Sequence, residues 1–260
     1  MAFGGLLGKD GDIELETADN KKASIDSSLA RFILRMIGIP HIELRTRARL
    51  IMCNIRDVKN KRILDAGCGI GLYSLELANK GAQVTGVDIN TKKITIAQNL
   101  ANKMKIKNVF FERGDLTNLK LKSDYFDKII CSDVLEHIKN DEKAVKELFR
   151  VLKKGGEIIF TFPRANKHNA ETMLEFGHVR AGYLPRDFKE KMEKIGFKSI
   201  KSGGYTYFFG KLAWNISNVV FKNKYLTVLM FYPLYALSLL DKFMPKSSDS
   251  NGLFFKAIKI

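Results

Sequence analysis

The sequence predicts an α/β protein with a doubly wound, mostly parallel seven-stranded sheet, N-terminal helices and an apolar helical insertion before the last strand. Three observations carry that prediction. Strand-like apolar runs alternate with helical patterns between Lys61 and Phe162, which is the signature of βαβ units. The first run opens directly into a turn with glycines at 67, 69 and 71. A length of 260 residues suits one large core with additions and falls short of two.

The elements follow in order. Residues 1–24 mix Gly, Asp, Lys and Asn without periodicity and are expected to form a flexible tail. From 25 to 60 the pattern is helical: Leu29, Phe32, Ile33, Met36 and Ile37 recur beside Arg31 and Arg35 as a cationic amphipathic helix, and a second helix is expected from Ile42 to Val58. Lys61 to Asp65 is the first expected strand and Leu72 to Asn79 the helix after the glycine turn. Val84 to Asp88, Lys92 to Met104 and Val109 to Arg113 continue as strand, helix and strand. Phe126 to Cys131 reads as the fourth strand, and Glu142 to Leu152 as a helix that Lys153-Lys154-Gly155-Gly156 stops before a fifth strand, Glu157 to Phe162. Pro185 opens a helix ended by Gly196, Ser199 to Ser202 reads as a sixth strand, and Leu253 to Ile260 as the last. The expected core is therefore 61–204 plus 253–260, with 205–252 inserted between two strands.

Composition narrows the function classes. Hydrophobic residues at 45% and charged residues at 28% fit a folded protein and argue against disorder or a polytopic membrane protein. Lys plus Arg number 44 against 28 Asp plus Glu, a net charge of +16. Such an excess draws polyanions, anionic lipid surfaces or phosphorylated ligands without choosing among them, and a solvated basic surface explains it equally. Cys53, Cys68 and Cys131 are odd in number and have no CxxC spacing, so neither a disulfide framework nor a zinc site is expected, and a reducing cytoplasm fits. The opening MAFGGLLGKDGD lacks a basic-then-apolar leader pattern, so export is not expected.

In Leu64-Asp65-Ala66-Gly67-Cys68-Gly69-Ile70-Gly71, alternate glycines let the backbone turn tightly and approach a ligand with no Cβ in the way. The dinucleotide fingerprint G-x-G-x-x-G would need its third glycine at Leu72, whereas Gly71 sits one residue early, and Asp65 has no place in that fingerprint. The D-x-G-x-G-x-G pattern resembles motif I of the class I S-adenosylmethionine-dependent methyltransferases, whose sheet is Rossmann-like. Further segments extend the resemblance from Arg62 to Pro163: Val87-Asp88-Ile89, Gly114-Asp115-Leu116, Ser132-Asp133-Val134-Leu135-Glu136-His137, and Lys153-Lys154-Gly155-Gly156. The fourth-strand segment is similar to that of the group that includes ubiquinone-biosynthesis methyltransferases.

The resemblance implies S-adenosyl-L-methionine as cofactor, held by Asp65, Gly67, Cys68, Gly69, Gly71, Asp88, Ile89, Asp115, Leu116 and Ser132. It places Asp65 near the cofactor's amino group, Asp88 on both ribose hydroxyls and Asp115 on the exocyclic amine of adenine. Plainer readings of the same residues stay open. Asp65 can cap the turn, Asp115 can bond its own backbone, and Cys68 reads as a small filler because no partner base for a nucleophile is evident.

Methyl transfer from a sulfonium is an in-line displacement, so its main demand is positioning in a dry pocket. A hydroxyl acceptor also needs a base, read as His137 with His178 as a second choice, because imidazole titrates near working pH. The structural alternative is that His137 caps a helix or orders its loop. Asp133, Glu136, His137 and His178 are weighed as ligands of a divalent metal, since some relatives use E-x-x-E-H with another His, although Asp stands here at the first Glu. Gly177 to Tyr183 resembles the G-H-x-R segment that many relatives carry over the acceptor pocket. That implies Arg180 and Tyr183 as substrate-binding residues, Arg180 pairing with a carboxylate or phosphate unless it is a solvated loop arginine.

Within the insertion, Phe208, Phe209, Leu212, Ala213, Ile216, Val219 and Val220 fall at helical spacing. No charged residue occurs from Tyr225 to Leu240, with Pro233 inside and Lys222, Lys224 and Lys242 at the flanks. The run is shorter than the roughly 18 to 20 apolar residues that span a bilayer. It reads as a membrane-surface element, or as a lid or oligomer contact burying the same residues. With the cationic helix, it suggests peripheral contact with an anionic membrane and a hydrophobic, lipid-like or quinone-type acceptor, with O-methylation favoured. A nucleic-acid methyltransferase is the alternative raised by the charge, without an RNA-binding module, an N/D-P-P-Y/F signature or an aromatic-interleaved basic stretch in support. A non-catalytic binding protein on the same fold is the third reading.

Overall fold

The computed structural model describes residues 15–16, 22–23, 41–165, 178–220, 224–243 and 249–260. The cationic helix expected around Leu29 to Ile37 lies outside them, as does most of the expected tail, in which Leu15–Glu16 and Lys22–Ala23 form a short antiparallel ladder. The chain divides into two compact units, Met1–Arg49 with Thr206–Ser247 and Leu50–Tyr205 with Ser248–Ile260. The expected N-terminal helical group is thus split. Its second helix, α1 (Ile42–Asn54), is shorter than the expected Ile42 to Val58 and is divided at Arg49.

The larger unit is the α/β core. Its strands are β1 (Arg62–Ala66), β2 (Gln83–Asp88), β3 (Val109–Arg113), β4 (Phe126–Ser132), β5 (Leu152–Pro163), β6 (Phe197–Tyr205) and β7 (Gly252–Lys259). Its helices are α2 (Leu72–Asn79), α3 (Thr91–Lys103), α4 (Asp141–Val151) and α5 (Pro185–Ile195). The sheet order is β3-β2-β1-β4-β5-β7-β6, with β1 to β5 parallel and β7 antiparallel to both its neighbours. The chain walks outward from β1 to β3, then returns to place β4 on the other side of β1. Ligands gather at such a switch point, outside the carboxyl ends of the strands.

Local chemistry explains the elements. Ile63 to Ala66 and Ile158 to Phe162 are buried without alternation, as parallel strands covered on both faces must be. Asn90 caps α3 through the amides of Lys92 and Lys93, and Asn140 caps α4 through that of Lys143. Phe188 docks α5 by ring contacts with Phe160, Phe162 and Tyr183, and with Phe255 of β7. Strand β5 corrects the expected boundary: it takes in Lys153 to Gly156, because Leu152 leaves α4 already extended and pairs with Phe126 before the register shifts.

The smaller unit is built from α6 (Phe208–Val220), α7 (Lys224–Leu239) and the first turns of α1. Ile42, Ala213, Phe231 and Leu234 form its apolar centre, and the Arg45 guanidinium lies 4.5 Å from the Phe231 ring. Asp241, in the 3-10 turn Leu240–Phe243, accepts from the amides of Tyr207, Phe209 and Gly210 and so caps α6 from the far end of the hairpin. Among the described residues no helix is long and apolar enough to cross a membrane.

Candidate active site

The expected residues of the larger unit lie at or after the carboxyl ends of β1 to β5. From β1 the chain enters the glycine turn with φ of 75° at Gly67, 55° at Gly69 and 81° at Gly71, all left-handed. A Cβ on Gly67 would stand 2.2 Å from Val134 and one on Gly71 2.6 Å from the Phe111 ring, so these two glycines permit close packing. Gly69 differs, because nothing lies within 4 Å of its would-be Cβ. Its left-handed backbone therefore borders open space, which is the cradle a ligand needs.

Strand β2 locks that cradle. Val87 carbonyl accepts from the amides of Gly67 and Cys68, and Asp88 accepts from Gly69 through Oδ2 at 2.8 Å and from Asn90 through Oδ1 at 2.8 Å. An ionised carboxylate has about four acceptor positions, so Asp88 keeps capacity for a diol beside Gly69. Ile89 projects beyond it at 65% exposure, an apolar surface at the rim. This donor and acceptor set fits the expected nucleoside part of the cofactor.

Asp65 is buried and accepts from Ser74 Oγ on α2 at 2.6 Å. Burial, with the nearby Asp88 charge, pushes its carboxyl up to about 6 despite the Ser74 hydrogen bonds. Cys68 is buried, and burial plus the charges of Asp65 and Asp88 drive its thiol well above the ordinary range. That environment suppresses the thiolate and agrees with the filler reading. Asp115 is exposed and uses Oδ1 on the Thr117 amide, holding its own loop, while Leu116 points into the core.

On the other side of β1, Ser132 pairs with Thr161 across β4 and β5. Their hydroxyls are 2.8 Å apart, and Thr161 Oγ1 also donates to Asp133 Oδ1 at 3.0 Å. Asp133 adopts a left-handed φ of 51° and its amide bonds the Thr161 carbonyl. This clamp turns the chain into the 3-10 segment Leu135–His137.

There the two expected bases meet. The His137 and His178 ring centroids are 4.4 Å apart, and ligand atoms of Glu136, His137 and His178 all lie within 4.8 Å of one another. Glu136 is buried, His137 exposed and His178 intermediate, and the Val179 amide donates to the Glu136 carbonyl. Burial and the neighbouring His137 charge lower His178 to about 4, so its imidazole is neutral. Of the four residues weighed for a metal, the ligand atoms of Glu136, His137 and His178 converge, while the Asp133 carboxylate accepts from Thr161.

Arg180 and Tyr183 have internal partners. The guanidinium donates to the carbonyls of Leu135 and Lys139 and to Tyr183 Oη, and lies 3.2 Å from Asp141. Tyr183 is buried and donates to Asp141 Oδ2 at 2.5 Å. Burial alone would raise the Asp141 carboxyl, but the Lys191 and Tyr183 hydrogen bonds and the Lys191 and Arg180 charges hold it low. Arg180, expected to be solvated or to face substrate, thus ties the 178–183 segment to residues 135–141. Ser74, Thr161 and Asp141 are the partners that sequence reading missed. Only the Asn140-Asp141 helix start left a local sign, as a capping residue followed by acids.

Residues 57–224 match the family model of the methyltransferase domain. A ubiquinone biosynthesis O-methyltransferase of Coxiella burnetii (strain Dugway 5J108-111) is 36% identical over 104 residues, covering 40% of this chain and 44% of that protein. The enzyme of the same name from Paracidovorax citrulli (strain AAC00-1) is 30% identical over 139 residues, 53% of this chain and 58% of that protein. The chain spans about half the length of the curated relatives it matches. Among solved structures, phosphoethanolamine N-methyltransferase 2 of Haemonchus contortus in complex with S-adenosyl-L-methionine superposes with a TM-score of 0.69. It is 21% identical, with 100% of this chain and 60% of that one covered, a likeness of fold.

Proposed function

Because the chain belongs to the methyltransferase domain family, we propose that it transfers a methyl group from S-adenosyl-L-methionine to the hydroxyl of a small hydrophobic acceptor, lipid-like or quinone-type. The observation that carries this reading is the Gly69 cradle with Asp88 bonded to it at 2.8 Å. S-adenosyl-L-methionine supplies an electrophilic methyl on its sulfonium. In this reading Asp88 takes the ribose hydroxyls, Ile89 covers the adenine and the glycine turn admits the rest of the cofactor closely. Asp65 orients the amino end through its bond with Ser74. His137, exposed beside His178, accepts the acceptor's proton.

The ubiquinone-biosynthesis relatives support the acceptor class, and such an acceptor resides in a membrane, so the proposed setting is cytoplasmic at the membrane face. The test is incubation with methyl-labelled cofactor and a cell extract, followed by separation of lipid, small-molecule and RNA fractions. Label in the lipid or small-molecule fraction, lost in His137→Ala, is expected. Label confined to RNA would sink the reading.

A divalent cation on Glu136, His137 and His178 is a second reading, favoured by the convergence of their ligand atoms within 4.8 Å. Neutral His178 suits ligation, and Glu136 offers a carboxyl oxygen. A bound cation would polarise the acceptor oxygen. Activity unaffected by a chelator, with no binding of Mg2+, Mn2+ or Zn2+ by calorimetry, would exclude it.

A further inference from the structure

The smaller unit carries an apolar surface that the proposed chemistry does not use. At about 100° per residue, Phe208, Leu212 and Val219 fall within about 40° of one another on α6, and all three are exposed. On α7, the exposed residues Leu226, Leu229, Tyr232, Pro233 and Ala236 lie within about 120° by the same geometry. The opposite faces are the buried ones, Ala213 and Ser217 on α6 and Phe231, Leu234 and Ser238 on α7. Val219 at 72%, Leu229 at 68% and, just beyond α7, Phe243 at 74% exposure are large apolar side chains left to water. Each stripe gathers exposed apolar side chains on one helix face, which single scattered surface hydrophobics do not do.

Charge chooses the occupant. Residues 206–247 contain five lysines, Lys211, Lys222, Lys224, Lys242 and Lys246, against a single acid, Asp241. That acid faces three backbone amides at the start of α6, and five lysines against one acid leave the segment net positive. Lys242 Nζ lies 4.5 Å from the Phe243 ring centroid, an apolar tip beside a cation at the end of the hairpin. A second copy of the chain would bring the same positive charge against itself. An RNA would need cations within the stripes, and both stripes are uncharged. An anionic lipid surface satisfies both features, apolar side chains entering the acyl boundary and lysines meeting headgroups. Helix α7 has 16 residues, about 24 Å at 1.5 Å per residue, short of the roughly 30 Å hydrocarbon core. It would therefore lie in the interface.

We propose that the exposed faces of α6 and α7 dock the protein peripherally on an anionic membrane. This deepens the reading of a lipid-like acceptor and rests on it only for its purpose, because docking is measurable without catalysis. The experiment is flotation of the full chain with vesicles of phosphatidylglycerol and phosphatidylcholine in equal parts, and with phosphatidylcholine alone. The wild type is expected to float with the mixed vesicles and to be released by salt. V219E/L229E, whose side chains are 72% and 68% exposed, should bind at least about tenfold more weakly while its melting curve and S-adenosylhomocysteine affinity stay unchanged. K222Q/K224Q/K242Q should lose the preference for phosphatidylglycerol. Equal flotation of wild type and V219E/L229E would overturn the proposal, as would a lipid-free dimer seen by light scattering and abolished by that double substitution. Lost cofactor affinity in the wild type, with flotation intact, would instead count against the methyl-transfer reading alone.

Discussion

The Gly69 amide and the Asp88 carboxylate are hydrogen-bonded at 2.8 Å, which makes the glycine turn and the end of β2 one piece of structure. A hydrogen bond to a charged group contributes about 1.5–3 kcal/mol, and Asp88 makes a second one to Asn90. Asp88→Ala is expected to weaken S-adenosylhomocysteine binding by roughly ten- to a hundredfold, measured by calorimetric titration. Unchanged affinity would remove Asp88 from the site.

Gly67 and Gly69 share a left-handed backbone but differ in surroundings, so their alanine variants should separate. Gly69→Ala costs about 1–2 kcal/mol for the backbone and fills the cradle. It is expected to melt slightly lower and to show no stabilisation by S-adenosylhomocysteine. Gly67→Ala adds a clash with Val134 at 2.2 Å, about 1–3 kcal/mol more, and should melt lower still. Thermal scans with and without ligand distinguish the two, and identical behaviour would refute the distinction.

Asp65 has its carboxyl raised from 3.8 to about 6, chiefly by burial. The fold therefore holds a proton that the unfolded chain has released, and stability falls as pH rises between those values, with the cost fully present above about 6. A shift of this size is at most about 3 kcal/mol. Asp65→Asn, which keeps an acceptor for Ser74, is expected to raise urea stability at pH 7.5 by up to that amount and little at pH 4. Cofactor affinity should fall in the same variant. A constant difference between the two pH values would contradict the assignment.

Arg180 fastens the segment carrying His178 to Leu135, Lys139 and Asp141. Arg180→Ala should destabilise the free protein by about 2 kcal/mol, and Arg180→Lys should not restore it, because one ammonium cannot reproduce the planar fork. An unchanged melting temperature in the alanine variant would point instead to a substrate-facing role.

Cys53 is exposed, whereas Cys68 and Cys131 are buried with their thiols raised by burial and nearby acids. Native protein should react with a disulfide reagent at Cys53 alone, and at the other two only after unfolding. Rapid labelling of Cys68 in the native state would reopen its reading as a reactive group.

Much of the fold is legible residue by residue. The ends of α2 and β3 read from periodicity coincide with those observed, Leu72–Asn79 and Val109–Arg113, because Gly71, Gly81 and Gly114 punctuate them locally. The β5 boundary is not legible, since the pairing of Leu152 with Phe126 overrides the helix-stopping look of Lys153 to Gly156. The acids expected to meet the cofactor are likewise readable from their places after strands. Their partners are not: Ser74 meets Asp65 through helix packing, and Thr161 reaches Asp133 only through the β4–β5 register.

By itself the sequence determined the alternation of strands and helices, the spacing of Gly67, Gly69 and Gly71, and the acids at strand ends, because each is a local property of a few neighbouring residues. The tertiary structure decided that Gly69 alone of the three glycines faces open space, that His178 comes to His137 while Asp133 is drawn away, and that Arg180 turns inward to Asp141. Those outcomes depend on which segments, tens of residues apart, the sheet register and the buried aromatic side chains bring together.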